Sequence, residues 1–90
     1  MSRPEVVLYT GPACPYCDRA KMLLERKGVS YQEIRVDRDP GEFSTMLERS
    51  GGCRSVPQIF IGDYHVGGFD DMSALNLEGK LDPLLAGEPA

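Results

Sequence analysis

A strand-like run that feeds directly into two closely spaced cysteines restricts this chain more than any other feature. Glu5-Val6-Val7-Leu8-Tyr9 is apolar and β-branched enough for a buried strand, Thr10-Gly11-Pro12-Ala13 is a turn, and Cys14-Pro15-Tyr16-Cys17 opens a helix. A cysteine at a helix N-terminus faces unpaired backbone N–H groups and the positive end of the helix dipole, both of which favour thiolate over thiol. Pro15 suits the first turn, because its fixed φ matches a helix and its missing N–H would have had no intrahelical partner. The spacing brings the two sulfurs to one face, within disulfide reach. Cys14 is the attacking thiol in this reading and Cys17 the resolving one.

Two blander readings use the same residues. Cys14 and Cys17 are half of a zinc site if Cys53 and His65 supply the rest, but structural zinc sites usually pair two short ligand knuckles, and Cys53 and His65 stand alone and far apart. A purely structural disulfide would close too small a loop to remove much unfolded-state entropy. A catalytic dithiol is favoured over both.

Composition bounds the rest. Ninety residues with 41% hydrophobic content make one domain spanning 1–90, with 86–90 as a frayed tail. No apolar stretch approaches a membrane span, and Met1-Ser2-Arg3-Pro4 runs into the first strand without a signal-like apolar region, so a cytoplasmic location is expected. A net charge of −4 and a pI near 4.8 oppose nucleic-acid binding.

Helical spacing from Tyr16 to Lys27 puts Cys17, Ala20 and Leu24 on one stripe with Leu23 beside it, and Gly28 is a C-terminal stop. Arg19 and Lys21 lie close enough to Cys14 to add modest positive potential. Tyr31 to Val36 reads as a second strand, and Asp37-Arg38-Asp39-Pro40-Gly41 leads into a helix with Phe43, Met46 and Leu47 on one face. Strand, helix and strand joined in this way favour a parallel pair with a right-handed crossover. Gln58-Ile59-Phe60-Ile61 and Tyr64-His65-Val66 flank Gly62-Asp63 as an antiparallel hairpin. Gly67-Gly68-Phe69-Asp70-Asp71 then opens a helix with Met72 and Leu75 inward, and Leu81 to Leu85 closes the domain.

From Val6 to about Leu85 the chain resembles the glutaredoxins, most of all the small bacterial dithiol type. The resemblance rests on Cys14-Pro15-Tyr16-Cys17 followed by Asp18-Arg19-Ala20-Lys21, on Ser55-Val56-Pro57-Gln58-Ile59-Phe60-Ile61-Gly62, and on Gly67-Gly68-Phe69-Asp70-Asp71. It implies an α/β thioredoxin fold, with a central four-stranded mixed sheet flanked by three or more helices. Thioredoxin itself fits less well, since the chain has no Trp.

The resemblance also implies a glutathione site. Pro57 would be cis, presenting the Val56 backbone to the cysteinyl part of the tripeptide as a short added strand; Ser55 keeps the hydroxyl of the family's usual threonine. Gly68, Phe69, Asp70 and Asp71 would anchor the γ-glutamyl end, with free helical N–H groups for its carboxylate and an Asp for its ammonium. Tyr16 would line the same site. Many relatives carry a basic residue where this chain has Gly11, so the glycyl carboxylate needs another cation, with Arg54 ahead of Arg38 and Lys21. Cys53 is left without a role, and His65 is read as structural.

The implied activity is glutathione-dependent thiol–disulfide exchange on protein–glutathione mixed disulfides and protein disulfides. Glutathione is co-substrate, and no cofactor is tightly bound. The partners are glutathionylated or disulfide-containing proteins, ribonucleotide reductase being a family expectation, and the chain is a monomer. Two alternatives stay open: a [2Fe–2S] carrier bridging two subunits with glutathione, and a thioredoxin-like electron donor served by a flavoprotein reductase.

Overall fold

The computed structural model describes residues 3–87. Eight elements follow in order: β1 (Val6–Thr10), α1 (Pro15–Arg26), β2 (Gln32–Arg35), α2 (Pro40–Ser50), β3 (Gln58–Ile61), β4 (Tyr64–Gly67), α3 (Phe69–Leu77) and α4 (Leu81–Leu85). They form one mixed sheet in the order β2-β1-β3-β4. β1 and β2 run parallel across the α1 crossover, whereas β1 with β3 and β3 with β4 are antiparallel. This is the thioredoxin fold that the resemblance implied.

The alternation of side chains along β1 divides the core. Val6 and Leu8 point into a cluster with Ala20 and Leu24 of α1, Met72 of α3 and Leu81, Leu84 and Leu85 of α4. Val7 and Tyr9 point the other way, onto Met46 of α2 and Phe60 of β3. All five β1 residues are buried, as a central strand covered on both faces requires. Of the expected α2 face only Met46 is fully buried; Phe43 and Leu47 are half-buried at its margin.

The helix ends follow from local chemistry. Asp39 caps α2 by accepting from the Gly41 and Glu42 amides, Pro40 takes the first turn, and Gly51 closes the helix at φ 73°. The β3–β4 hairpin turns at Gly62, whose φ of 59° suits a glycine. At that end of the sheet the Gly62 amide donates to the Glu5 carbonyl at 2.7 Å. Ala86 and Gly87, expected to fray, donate their amides to the Asp82 and Leu84 carbonyls at 3.0 and 3.1 Å. A Cβ on Gly87 would stand 3.3 Å from Pro4 Cδ, so the two described ends of the chain touch. The remainder of the expected tail, 88–90, lies outside the described residues.

The Tyr31 hydroxyl donates to Glu25 Oε2 at 2.8 Å and ties the residue before β2 to α1. Burial, then the hydrogen bond to Glu25 and the negative charges of Glu25 and Glu33, push the Tyr31 phenol up to about 12. An unfolded tyrosine ionises near pH ~10. The fold therefore binds this proton more tightly than the unfolded chain, and the resulting stabilisation is complete below that pH and lost as pH rises through about 12. An ultraviolet phenolate titration should contain a late step from Tyr31, and Tyr31→Phe should remove it; a titration unchanged by that substitution would overturn the assignment.

Candidate active site

Cys14 is the N-cap of α1. Its backbone is extended, its Sγ accepts from the Cys17 amide at 3.1 Å, and its carbonyl accepts from the Asp18 amide at 3.2 Å. Ala13 just before it sits at φ 49°, a left-handed conformation uncommon for a residue with a Cβ. Cys14 and Cys17 form a disulfide with Cα atoms 5.2 Å apart. Cys17 is 2% exposed, while Cys14 is half-buried, so the outer sulfur is the one that a disulfide in solution can reach.

The segment before β3 lies opposite. Cys14 Sγ is 3.9 Å from the Val56 carbonyl oxygen, and the Val56–Pro57 peptide bond is cis. A buried polar chain holds this segment. Gln58, 3% exposed, donates through Nε2 to the Ser55 carbonyl at 3.0 Å, and its Oε1 pairs with His65 Nε2 at 2.7 Å. The His65 ring stacks on Phe60 with centroids 4.8 Å apart. Because the Gln58 amide nitrogen faces a carbonyl, its oxygen is left to accept, which gives His65 the donor role at Nε2.

The third segment is the start of α3. Gly68 is its N-cap, and the helix begins at Phe69. The cap is reciprocal in one direction only: Asp71 Oδ2 accepts from the Gly68 amide at 2.9 Å, while Gly68 has no side chain to return the bond. Asp70 is exposed in the first turn. Gly67 has φ 108°, which strains a residue with a side chain, and a Cβ there would force the Asp71 carboxylate away from the Gly68 amide.

These segments enclose a groove of about 440 Å³. Of the residues expected at the site, Tyr16, Ser55, Val56, Pro57, Gly68, Phe69, Asp70 and Asp71 all line it. Arg54 does not, because its guanidinium lies 5.7 Å over the Phe43 ring on the α2 side. Among the described residues no lysine or arginine lines the groove. Lys21 is committed elsewhere, to Asp18 at 3.5 Å and Glu33 at 3.3 Å. The Thr10 hydroxyl first, and Lys21 after it, hold the Glu33 carboxyl below its ordinary range. Gly11 has a steric reason as well, since a Cβ there would press on Val56 Cγ2 at 3.3 Å.

Cys53 and His65 also line the groove, although neither was assigned to the site from sequence. His65 could have been found from strand register, because it lies opposite Phe60 two residues after Gln58. Cys53 carried only its nearness to Pro57. Among the described residues no group of three or more His, Cys, Asp or Glu side chains is placed to hold a metal ion, and no helix is long and apolar enough to cross a membrane.

The glutaredoxin family model matches residues 6–66. The chain belongs to the glutaredoxin family. It is 57% identical over 83 residues to a glutaredoxin of Pseudomonas aeruginosa, an alignment covering 92% of this chain and 98% of that protein. The solution structure of a Brucella melitensis glutaredoxin superposes with a TM-score of 0.83 at 52% identity, covering all of this chain and 98% of that one. A buckwheat glutaredoxin–glutathione complex superposes with a TM-score of 0.81 at 35% identity, covering 97% of this chain and 83% of that one. The protein is thus a thiol–disulfide oxidoreductase by family, with a redox-active cysteine pair at the tip of α1.

In this glutaredoxin the Ser55–Pro57 segment depends on one buried amide side chain. Gln58→Leu removes the bond to the Ser55 carbonyl and strips His65 Nε2 of its partner. Leaving such groups unpaired should cost about 1–3 kcal/mol of stability, measured by urea unfolding; a cost near zero would show that the Gln58 bonds do not hold the segment.

Proposed function

We propose that this glutaredoxin reduces protein–glutathione mixed disulfides through Cys14 alone and protein disulfides through Cys14 and Cys17 together, with glutathione as the electron donor. One observation carries the reading: Val56, whose carbonyl lies 3.9 Å from the reactive sulfur, and the N-terminus of α3 line one groove. An extended cysteinyl segment can pair with the Val56 main chain as a short added strand. The amides of the first α3 turn suit a carboxylate, and exposed Asp70 suits an ammonium, so a zwitterionic γ-glutamyl end matches both. The glutathione complex of the buckwheat relative supports the choice of ligand.

The chemistry is two exchanges. Cys14 thiolate attacks the glutathione sulfur of the mixed disulfide, a Cys14–glutathione disulfide forms, and the protein leaves as thiolate. A second glutathione thiolate then attacks the sulfur of bound glutathione, releasing glutathione disulfide and restoring Cys14 thiolate. With a protein disulfide, Cys14 forms a mixed disulfide to the protein, Cys17 displaces the substrate thiol, and two glutathiones later reduce the resulting Cys14–Cys17 disulfide. The Cys17 amide bonded to Cys14 Sγ favours the charged sulfur at the start and end of each cycle.

Turnover should run on glutathione with glutathione reductase and not on thioredoxin reductase; the reverse preference would favour the thioredoxin-like alternative. Cys17→Ser should keep activity on mixed disulfides and lose most activity on protein disulfides, and Cys14→Ser should reduce both to background. Loss of both activities in Cys17→Ser would defeat the single-cysteine route. Because Arg54 lies over Phe43 and outside the groove, Arg54→Ala should leave KM for a glutathionylated substrate unchanged, and a raised KM would return Arg54 to the site as the cation for the glycyl carboxylate.

A further inference from the structure

A second groove, of about 250 Å³, runs between α1 and α3 behind the Tyr16 and Phe69 rings. From α1 it takes Arg19, Met22, Leu23 and Arg26, and from α3 it takes Phe69, Ser73 and Asn76. The two stripes have helical spacing, so each helix turns one continuous edge to the groove. Its chemistry is unusual for this molecule. The chain holds 14 acidic residues against 10 basic ones, yet among the described residues no carboxylate lines this groove and its only charges are two guanidinium groups.

Those two charges are free of carboxylate partners. The third cation of α1, Lys21, is neutralised by Asp18 and Glu33, and the remaining α1 carboxylate, Glu25, is bonded by Tyr31. Among the described residues neither Arg19 nor Arg26 forms an ion pair; Arg19 lies 5.2 Å over the Tyr16 ring instead. Between the two arginines, Met22 is 51% exposed, an unbranched side chain that adapts readily to a partner's shape. The groove is also continuous with the active site. Phe69 lines both grooves, and its ring lies 6.3 Å from that of Tyr16, itself 52% exposed.

We propose that the α1–α3 groove docks the polypeptide that flanks the cysteine being reduced, and that it selects a segment with an apolar residue followed by carboxylates. This inference rests on the function proposed above, in which the glutathione half of a mixed disulfide fills the groove along Val56 and the start of α3. The protein half must then leave the site elsewhere, and the Tyr16–Phe69 ridge opens directly onto the two arginines. An apolar side chain meets Met22, Leu23 and the Phe69 ring, and carboxylates meet Arg19 and Arg26. A basic segment would find two like charges and no acidic partner.

The test uses three peptides with a central glutathionylated cysteine flanked on both sides by Leu and then by two Glu, two Gln or two Lys. Turnover is compared with that of the small mixed disulfide of glutathione and 2-mercaptoethanol. The Glu peptide should have the lowest KM, with kcat unchanged across the series. Arg26→Glu should raise KM for the Glu peptide about two- to fivefold, the effect of one exposed ion pair, and leave the small disulfide unaffected. Met22→Ser should raise KM for all three peptides and not for the small disulfide. The preference among peptides should shrink as salt rises, because the charges are exposed. Equal KM for the three peptides, or an Arg26→Glu effect of the same size on each, overturns the proposal. Binding is read separately, from amide chemical-shift changes at Met22, Ser73 and Asn76 on adding the Glu peptide. Such changes without turnover of the small disulfide would defeat the proposed function and leave the docking site standing, while turnover without them would defeat the docking site alone.

Discussion

The antiparallel pairing of β1 with β3 is the constraint on which the site depends. Tyr9 stands opposite Gln58, so the end of β1 and the start of β3 share one pole of the sheet. The turn after β1 therefore delivers Cys14 to the same place from which Val56 and Pro57 enter β3. β4 reverses once more, and its end at Gly67 returns to that pole with the first turn of α3. Three segments separated in sequence converge there because strand direction alternates, before any of their side chains interact. Side-chain contacts then fix the details: a sulfur that caps a helix, an amide that grips a carbonyl, and a carboxylate that closes the N-terminus of α3.

Most of this was legible in the sequence, for physical reasons that differ by element. β3 and α4 begin and end where apolar runs meet turn residues, so Gln58–Ile61 and Leu81–Leu85 could be read to the residue. The stripe of Cys17, Ala20 and Leu24 is buried as its spacing requires. Contacts that span the sheet were not legible. Glu33 reaches Lys21 only because β2 pairs in parallel beside β1, and that contact removes a positive charge expected to act on Cys14. Arg54 is adjacent to the site in sequence, but the chain turns between it and Pro57, and its guanidinium rests on the other face, over Phe43. His65 looked structural because nothing in a linear reading reveals that its partner is the residue following a cis proline.

Gly11 shows how a missing side chain can be a packing statement. Relatives of this type often place a cation there, yet here a Cβ would stand 3.3 Å from a Val56 methyl group, which would have to give by a few tenths of an ångström. The same valine carries the carbonyl nearest to Cys14 Sγ. The absence of a charge and the close approach of the two loops are thus one arrangement, in which positive potential at the sulfur comes from backbone amides and from the end of a helix more than from a neighbouring cation.

All of the chemistry lies at one pole of the sheet, and Pro4 touches Gly87 at the other. The first and last described stretches of chain thus meet on the side away from the dithiol. The fold can therefore be inserted into a surface loop of another protein, or joined end to end and reopened elsewhere, without lengthening the path between its ends or screening the reactive sulfur. What looks like a small enzyme is, in its geometry, a component that can be carried by something larger.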